Sequence, residues 1–156
     1  HLAWLAEVTE EYAVDKLAFA TQATIRRLEV PAHIPDMSSA KLTLTDAVYF
    51  RTKDVKYPSA QLRYTGRRGC RVSLTLSRGA TPLDTSLSEI DDGQSRGFYW
   101  RVGAINYALF ATGMDATRFT LLARNVYLAT RENQIPPEPK QQELRVASDT
   151  AAPCRA

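Results

Sequence analysis

Apolar and polar positions change their period along this chain, and each change predicts a different element. Near the start, Leu5, Val8 and Tyr12 recur at spacings of three and four beside Trp4, which predicts a helix with one apolar stripe. Glu7, Glu10 and Glu11 fall mostly off that stripe. Asp15 is expected to interrupt this helix and cap a second one running to about Leu28. Pro31 and Pro35 then stop it, because each lacks a donor N–H and disfavours helix in the residue before it.

From Lys41 the period becomes two. Leu42, Leu44, Val48 and Phe50 are expected on one face, with Lys41, Thr43, Thr45 and Arg51 on the other, as in a half-buried strand. Tyr57 and Pro58 open a second strand, Leu62 and Tyr64 inward and Gln61, Arg63 and Thr65 outward. Gly66-Arg67-Arg68-Gly69 predicts a turn, since glycine accepts the positive φ that hairpins require. A third strand follows, with Val72, Leu74 and Leu76 inward and Arg71, Ser73, Thr75 and Ser77 outward. Gly79 to Arg96 is polar, with Pro82, Asp84, Glu89, Asp91, Asp92 and Gly93, and is expected to be a long loop. Phe98, Trp100 and Val102 alternate into Gly103, and Ile105, Tyr107 and Leu109 alternate out of it, which predicts a tight hairpin. Asn106, Ala108 and Phe110 leave its second strand apolar on much of both faces, as expected of a covered strand.

Met114, Asp115 and Phe119 fit a hydrophobic staple around an Asp N-cap. Phe119, Leu122, Val126 and Ala129 then form a helical stripe widened by Leu121 and Leu128. Ile135-Pro136-Pro137-Glu138-Pro139 ends this helix, and the polar residues from Lys140 predict an extended tail. The expected architecture is α+β: N-terminal helices, about five antiparallel strands, and a closing helix on one face of the sheet. Residues 1–134 form a single domain on this reading, and residues 135–156 a Pro-rich polar tail.

Length agrees with one domain: 156 residues bury roughly two thirds of the surface the unfolded chain exposes. The 20 Lys+Arg against 17 Asp+Glu give a net charge of +3, and 15 Arg with 5 Lys are spread along the chain, so no basic stripe argues for nucleic acid. No segment approaches the ~20 apolar residues of a membrane span. No signal peptide is expected at the N-terminus. The chain opens on His1, which is expected to mark a processed or excised piece of something longer. Cys70 and Cys154 lie far apart and are either two free thiols or, in an oxidising compartment, one disulfide.

Catalytic chemistry finds little to work with. The histidines are His1, at the chain end, and His33, between two prolines, and no Gly-x-Ser-x-Gly elbow or cysteine-hydrolase signature accompanies them. Two His and two Cys so far apart do not predict zinc. Glu89, Asp91 and Asp92 lack the alternating spacing of a calcium loop, and no glycine-rich phosphate loop appears. No cofactor and no catalytic residue is therefore expected. Arg63, Arg67, Arg68 and Arg71 cluster around one hairpin and suit either an anionic partner or a solvated sheet face. Trp100 and Tyr107 are expected in the core, given their strand periodicity.

Several segments, taken in order, resemble one family. Trp4 through Tyr12, in "AWLAEVTEEYAV", resembles the helix that follows the membrane span in bacterial transmembrane anti-sigma factors. "IPDMSSAKLTL", Ile34 to Leu44, is similar to that family's Pro-Asp-Leu entry to its first strand. "QLRYTGRRGCRVSL", Gln61 to Leu74, resembles its Tyr-x-x-x-x-Gly hairpin, and "YWRVGAINYALFATGMDATRFTLLA", Tyr99 to Ala123, its Trp hairpin and closing helix. The resemblance implies the periplasmic, non-catalytic sensor domain of a membrane-anchored regulator of an extracytoplasmic-function sigma factor. The sigma factor would bind a cytoplasmic region absent from this chain, and a membrane span would lie upstream. An envelope protein or a protease would be the partner outside. The family's His-Cys-Cys zinc motif has no counterpart here, and the Pro-rich tail matches nothing in the family. A periplasmic setting would favour a Cys70–Cys154 bridge. Two rivals stand beside this reading: a small-ligand or lipid-binding module whose inner sheet and closing helix frame a pocket, and an enzyme relying on carboxylates such as Asp36, Asp91 and Asp92.

Overall fold

A computed structural model describes residues 14–51, 57–66, 69–79, 85–91, 93, 95–132 and 136–154. The expected first helix around Trp4–Tyr12 lies outside them. Helix α1 spans Val14–Arg26, and Thr21, Thr24, Ile25 and Leu28 place its buried stripe at spacings of three and four. Glu29, at φ 58°, turns the chain out of the helix ahead of Pro31. Residues 31–37 cross the molecule as an irregular strap, tied down where the Tyr64 hydroxyl donates to the Pro35 carbonyl at 3.1 Å. A 3-10 turn, Ser38–Ala40, follows.

Six antiparallel strands come next: β1 Leu42–Phe50, β2 Ser59–Gly66, β3 Arg71–Arg78, β4 Ser88–Asp91, β5 Arg96–Val102 and β6 Ile105–Thr112. Their order is β1-β2-β3-β6-β5-β4. The sheet is thus two three-stranded meanders joined through their last strands, β3 and β6. On the inner face Leu62, Leu74, Leu109 and Phe98 form one row and Ala60, Leu76, Tyr107 and Trp100 the next, all buried as the alternation predicts.

The strand count is one more than expected. β4 lies inside the stretch read as a loop, because its four residues are mostly exposed and polar and its order comes from backbone pairing with β5. β1 also departs from its predicted facing. A bulge between Leu44 and Asp46 shifts the register, so Ala47 pairs with Leu62 and Tyr49 with Ala60 on the inner face. Val48 and Phe50 are carried to the other side, opposite Gln61 and Ser59. One inserted residue reverses every side chain beyond it.

Helix α2, Ala116–Glu132, begins as predicted: the Arg118 amide donates to Asp115 Oδ1 at 2.9 Å. Its Phe119 meets Phe98 edge-on at 5.1 Å, and Thr130 Oγ1 accepts from Trp100 Nε1 at 2.9 Å. The segment from Lys140, expected as an extended tail, is instead part of helix α3, Glu138–Thr150. Pro139 sits in the first turn, where a missing N–H costs no intrahelical bond. Leu144 and Ser148 are buried at helical spacing, and Leu144 joins the main core. With one large apolar residue on that stripe, the sequence pattern alone gives little sign of a docked helix.

Two outcomes check this packing. Leu144→Ala should cost about 2–5 kcal/mol in urea unfolding; a change within about 0.5 kcal/mol, as for a surface site, would mean α3 is not docked. Burial first, and the Asp36 carboxylate second, push the Tyr64 phenol well above its ordinary value near 10. The unfolded phenol ionises first, so the stability Tyr64 contributes is fully present below about pH 10 and lost as pH rises beyond it. Wild type should therefore lose stability above pH 10 more steeply than Tyr64→Phe, and parallel profiles would refute the assignment.

Candidate functional site

The C-terminal helix is fastened at one crowded point. Cys70, just before β3, and Cys154, just beyond α3, are joined by a disulfide with a Cα–Cα distance of 4.9 Å. Gly69, at φ +76°, makes the approach: the turn needs a left-handed residue there, and the Cys154 carbonyl lies 3.7 Å from where a Cβ would stand. Above the sulfurs lies Arg118, only 4% exposed. Its Nη1 reaches Cys70 Sγ at 3.3 Å and Cys154 Sγ at 3.9 Å, its Nη2 donates to the Ala40 carbonyl at 2.9 Å, and its Nε donates to Ser148 Oγ at 3.3 Å. One guanidinium thereby joins the 3-10 turn, the β2–β3 hairpin, α2 and α3.

Beside this node, the strap, α2 and α3 line a partly open cavity of about 150 Å³. Ile34, Met37, Leu122, Val126 and Leu144 supply apolar wall, and Asn125 and Gln141 supply polar wall. Gln141 is engaged on both ends: its Nε2 donates to the Pro136 carbonyl at 2.6 Å, and its Oε1 accepts from Ser39 Oγ at 3.2 Å. Trp100 and Tyr107 are not among the residues that line the cavity, and they stack at 5.4 Å within the core. Burial raises the Tyr107 phenol above its usual value, and a backbone hydrogen bond from His33 opposes that rise only in part.

The other residues singled out from the sequence are dispersed. Asp36 accepts from the Ser38 amide at 2.8 Å and the Ser38 hydroxyl at 3.1 Å, holding the 3-10 turn. Asp91 accepts from the Gly93 amide at 2.9 Å, and Asp92 lies outside the described residues. Asp36 neighbours Tyr64 of β2 while Asp91 is on β4, four strand spacings or roughly 19 Å across the sheet. Glu89 pairs with Arg96 at 2.6 Å. Among the described residues, no three His, Cys, Asp or Glu side chains converge as a metal site. Of the arginine cluster, the structure describes Arg63 and Arg71. Arg63 stands on the outward face as expected, but it is buried and held by Asp46 at 3.1 Å and Gln61 at 3.0 Å, and Arg67 and Arg68 lie outside the described residues. His33 lines the cavity, and His1 lies outside the described residues.

Arg118 and Asn125 were not singled out from the sequence. A signal was present, since 118, 122, 125 and 129 repeat at helical spacing and two of the four are polar on an otherwise apolar stripe. A polar residue facing a core has a partner or a task. No family profile, curated protein or solved structure matches the chain.

The bridge spans 84 residues, for which loop closure contributes about 4.5 kcal/mol. A Cys70→Ala/Cys154→Ala double variant should lose stability of that order in urea unfolding, with hydrogen exchange in 138–150 accelerating more than in β3 and β6. Uniform acceleration, or no loss, would mean that the bridge does not specifically hold the last helix.

Proposed function

We propose that this chain is the non-catalytic, extracytoplasmic sensor domain of a membrane-anchored anti-sigma factor, acting through conformation and contact. The observation that carries the reading is the Cys70–Cys154 bridge. Disulfides persist in oxidising compartments such as the periplasm and are rare in the cytosol. Supporting it, the sheet's large aromatics are committed to packing, and the carboxylates that an acid–base enzyme would require are held at separate structural tasks. The resemblance of its strap, hairpins and closing helix to that family supplies the sigma factor as the regulated partner, bound by a cytoplasmic region. Among the described residues no helix is long and apolar enough to cross a membrane, and on this proposal the anchor lies upstream.

A second reading, a small-ligand-binding module, is favoured by the cavity under the strap. The two are compatible, since a sensor needs a way to read its surroundings.

The test is topological and chemical. The parent reading frame should encode a cytoplasmic region and then about 20 apolar residues ahead of this domain, and thiol titration of denatured, unreduced protein recovered from the periplasm should find no free cysteine. A plain secretory signal upstream would sink the anti-sigma assignment. Two reactive thiols in exported protein would remove the observation on which it rests.

A further inference from the structure

We propose that the Cys70–Cys154 bridge is a thiol-exchange site: a small thiol compound is taken up on Cys154, Cys70 leaves as a thiolate held by Arg118, and the last helix loosens. The inference requires the bridge but neither a membrane anchor nor a sigma factor, so an upstream sequence that sinks the regulatory reading leaves it standing.

The two sulfurs are unequal in access. Cys70 is 1% exposed, whereas Cys154, beyond the end of α3, is partly exposed. The Arg118–Cys70 contact is buried, and the Arg118–Cys154 contact is partly open. An attacking thiolate therefore meets Cys154 first, and access helps to set which sulfur of a disulfide is attacked.

Their electrostatic surroundings differ in the same sense. Arg118 Nη1 stands 3.3 Å from Cys70 Sγ and 3.9 Å from Cys154 Sγ. A guanidinium beside a sulfur favours thiolate over thiol, and a thiol that ionises readily leaves a disulfide faster. Burial of Cys70 works against ionisation, but a cation in hydrogen-bond contact acts more strongly in those same low-dielectric surroundings. Arg118 keeps its place when the bridge opens. Its Nη2 donates to the Ala40 carbonyl at 2.9 Å and its backbone amide to Asp115, and neither partner belongs to α3. Across the same junction Lys41 pairs with Asp149 at 3.6 Å on the surface.

The exchange step needs no further oxidant or acid. The incoming thiolate bonds to Cys154 Sγ, the Cys70–Cys154 bond breaks, and its electron pair remains on Cys70 Sγ beside Arg118. In reverse, the Cys70 thiolate attacks Cys154 Sγ, expels the small thiolate and restores the bridge. What changes between the two states is the hold on α3, which packs on the 3-10 turn and α2 and is tied to the β2–β3 hairpin through this bond. Once the bond opens, α3 is held by noncovalent contacts, Leu144 and the Ser148 hydroxyl among them.

The test incubates oxidised protein, without denaturant, in excess reduced glutathione, quenches it in acid and maps the adducts by peptide mass spectrometry. Glutathione should sit on Cys154 about tenfold more often than on Cys70, and amide hydrogen exchange of the adduct should accelerate in 138–150 more than in β3 and β6. Cys154→Ser leaves Cys70 alone with Arg118. In that variant, folded by circular dichroism, thiolate ultraviolet absorbance at neutral pH should be about tenfold that of the same protein in urea, where only a few per cent of a free thiol is ionised. Adding Arg118→Gln should remove that excess, and Arg118→Lys should keep part of it. Fully reduced wild type gives the same reading should Cys154→Ser fold poorly. A bridge inert to glutathione in folded protein, equal labelling of the two sulfurs, unchanged exchange in 138–150, or thiolate absorbance indifferent to Arg118→Gln would each overturn the proposal.

Discussion

The structure turns on a cation placed where water does not reach. Burying a guanidinium is tolerable only when its donors are met, because an unpaired buried charge costs far more than any single contact returns. Arg118 meets that demand by drawing four remote parts of the chain to one point: the Ala40 carbonyl, the Ser148 hydroxyl of α3, and the two sulfurs of the Cys70–Cys154 bridge. The constraint works in both directions. The guanidinium needs those partners in place, and α3, with a single large apolar anchor in Leu144, needs the guanidinium and the disulfide to hold its position.

From that node the division of labour in the molecule follows. The two meanders meet at β3 and β6, so the middle of the sheet is paired on both sides and its inner face is sealed by α2. Trp100 packs against Tyr107 and Tyr127 and gives its N–H to Thr130. Such a core is close-packed and has no room for a guest. The cavity forms where the cover changes from helix to irregular strap. A strap rich in proline cannot present a continuous side-chain ridge to a helix groove, and the space left beside α2 is filled only in part by α3.

Much of the fold was legible because burial imposes a period. Alternation over Leu62–Tyr64, Val72–Leu76 and Ile105–Leu109 identified inner-facing strands, and the three- and four-residue spacing of Phe119, Leu122, Val126 and Ala129 identified α2, with Asp115 as its cap. Periodicity failed where backbone or a remote contact set the outcome. The bulge near Thr45 turned Val48 and Phe50 over, β4 is ordered by backbone hydrogen bonds, and Arg63 is buried and paired with Asp46, which strand alternation does not encode. Asn125 and Arg118 were visible as polar residues on an apolar stripe, but their partners lie far away in sequence.

By itself, then, the sequence determined the α+β class, the antiparallel pairing of its hairpins, the start of the closing helix and the commitment of Trp100 and Tyr107 to the core. These are consequences of which side chains avoid water, and that preference is local. Tertiary structure alone decided that the polar C-terminal segment docks as a helix, that Cys70 and Cys154 come within bonding distance, and that Arg118 stands beside their sulfurs. Each of these depends on where segments separated by tens of residues come to rest, and chain connectivity carries no local record of that.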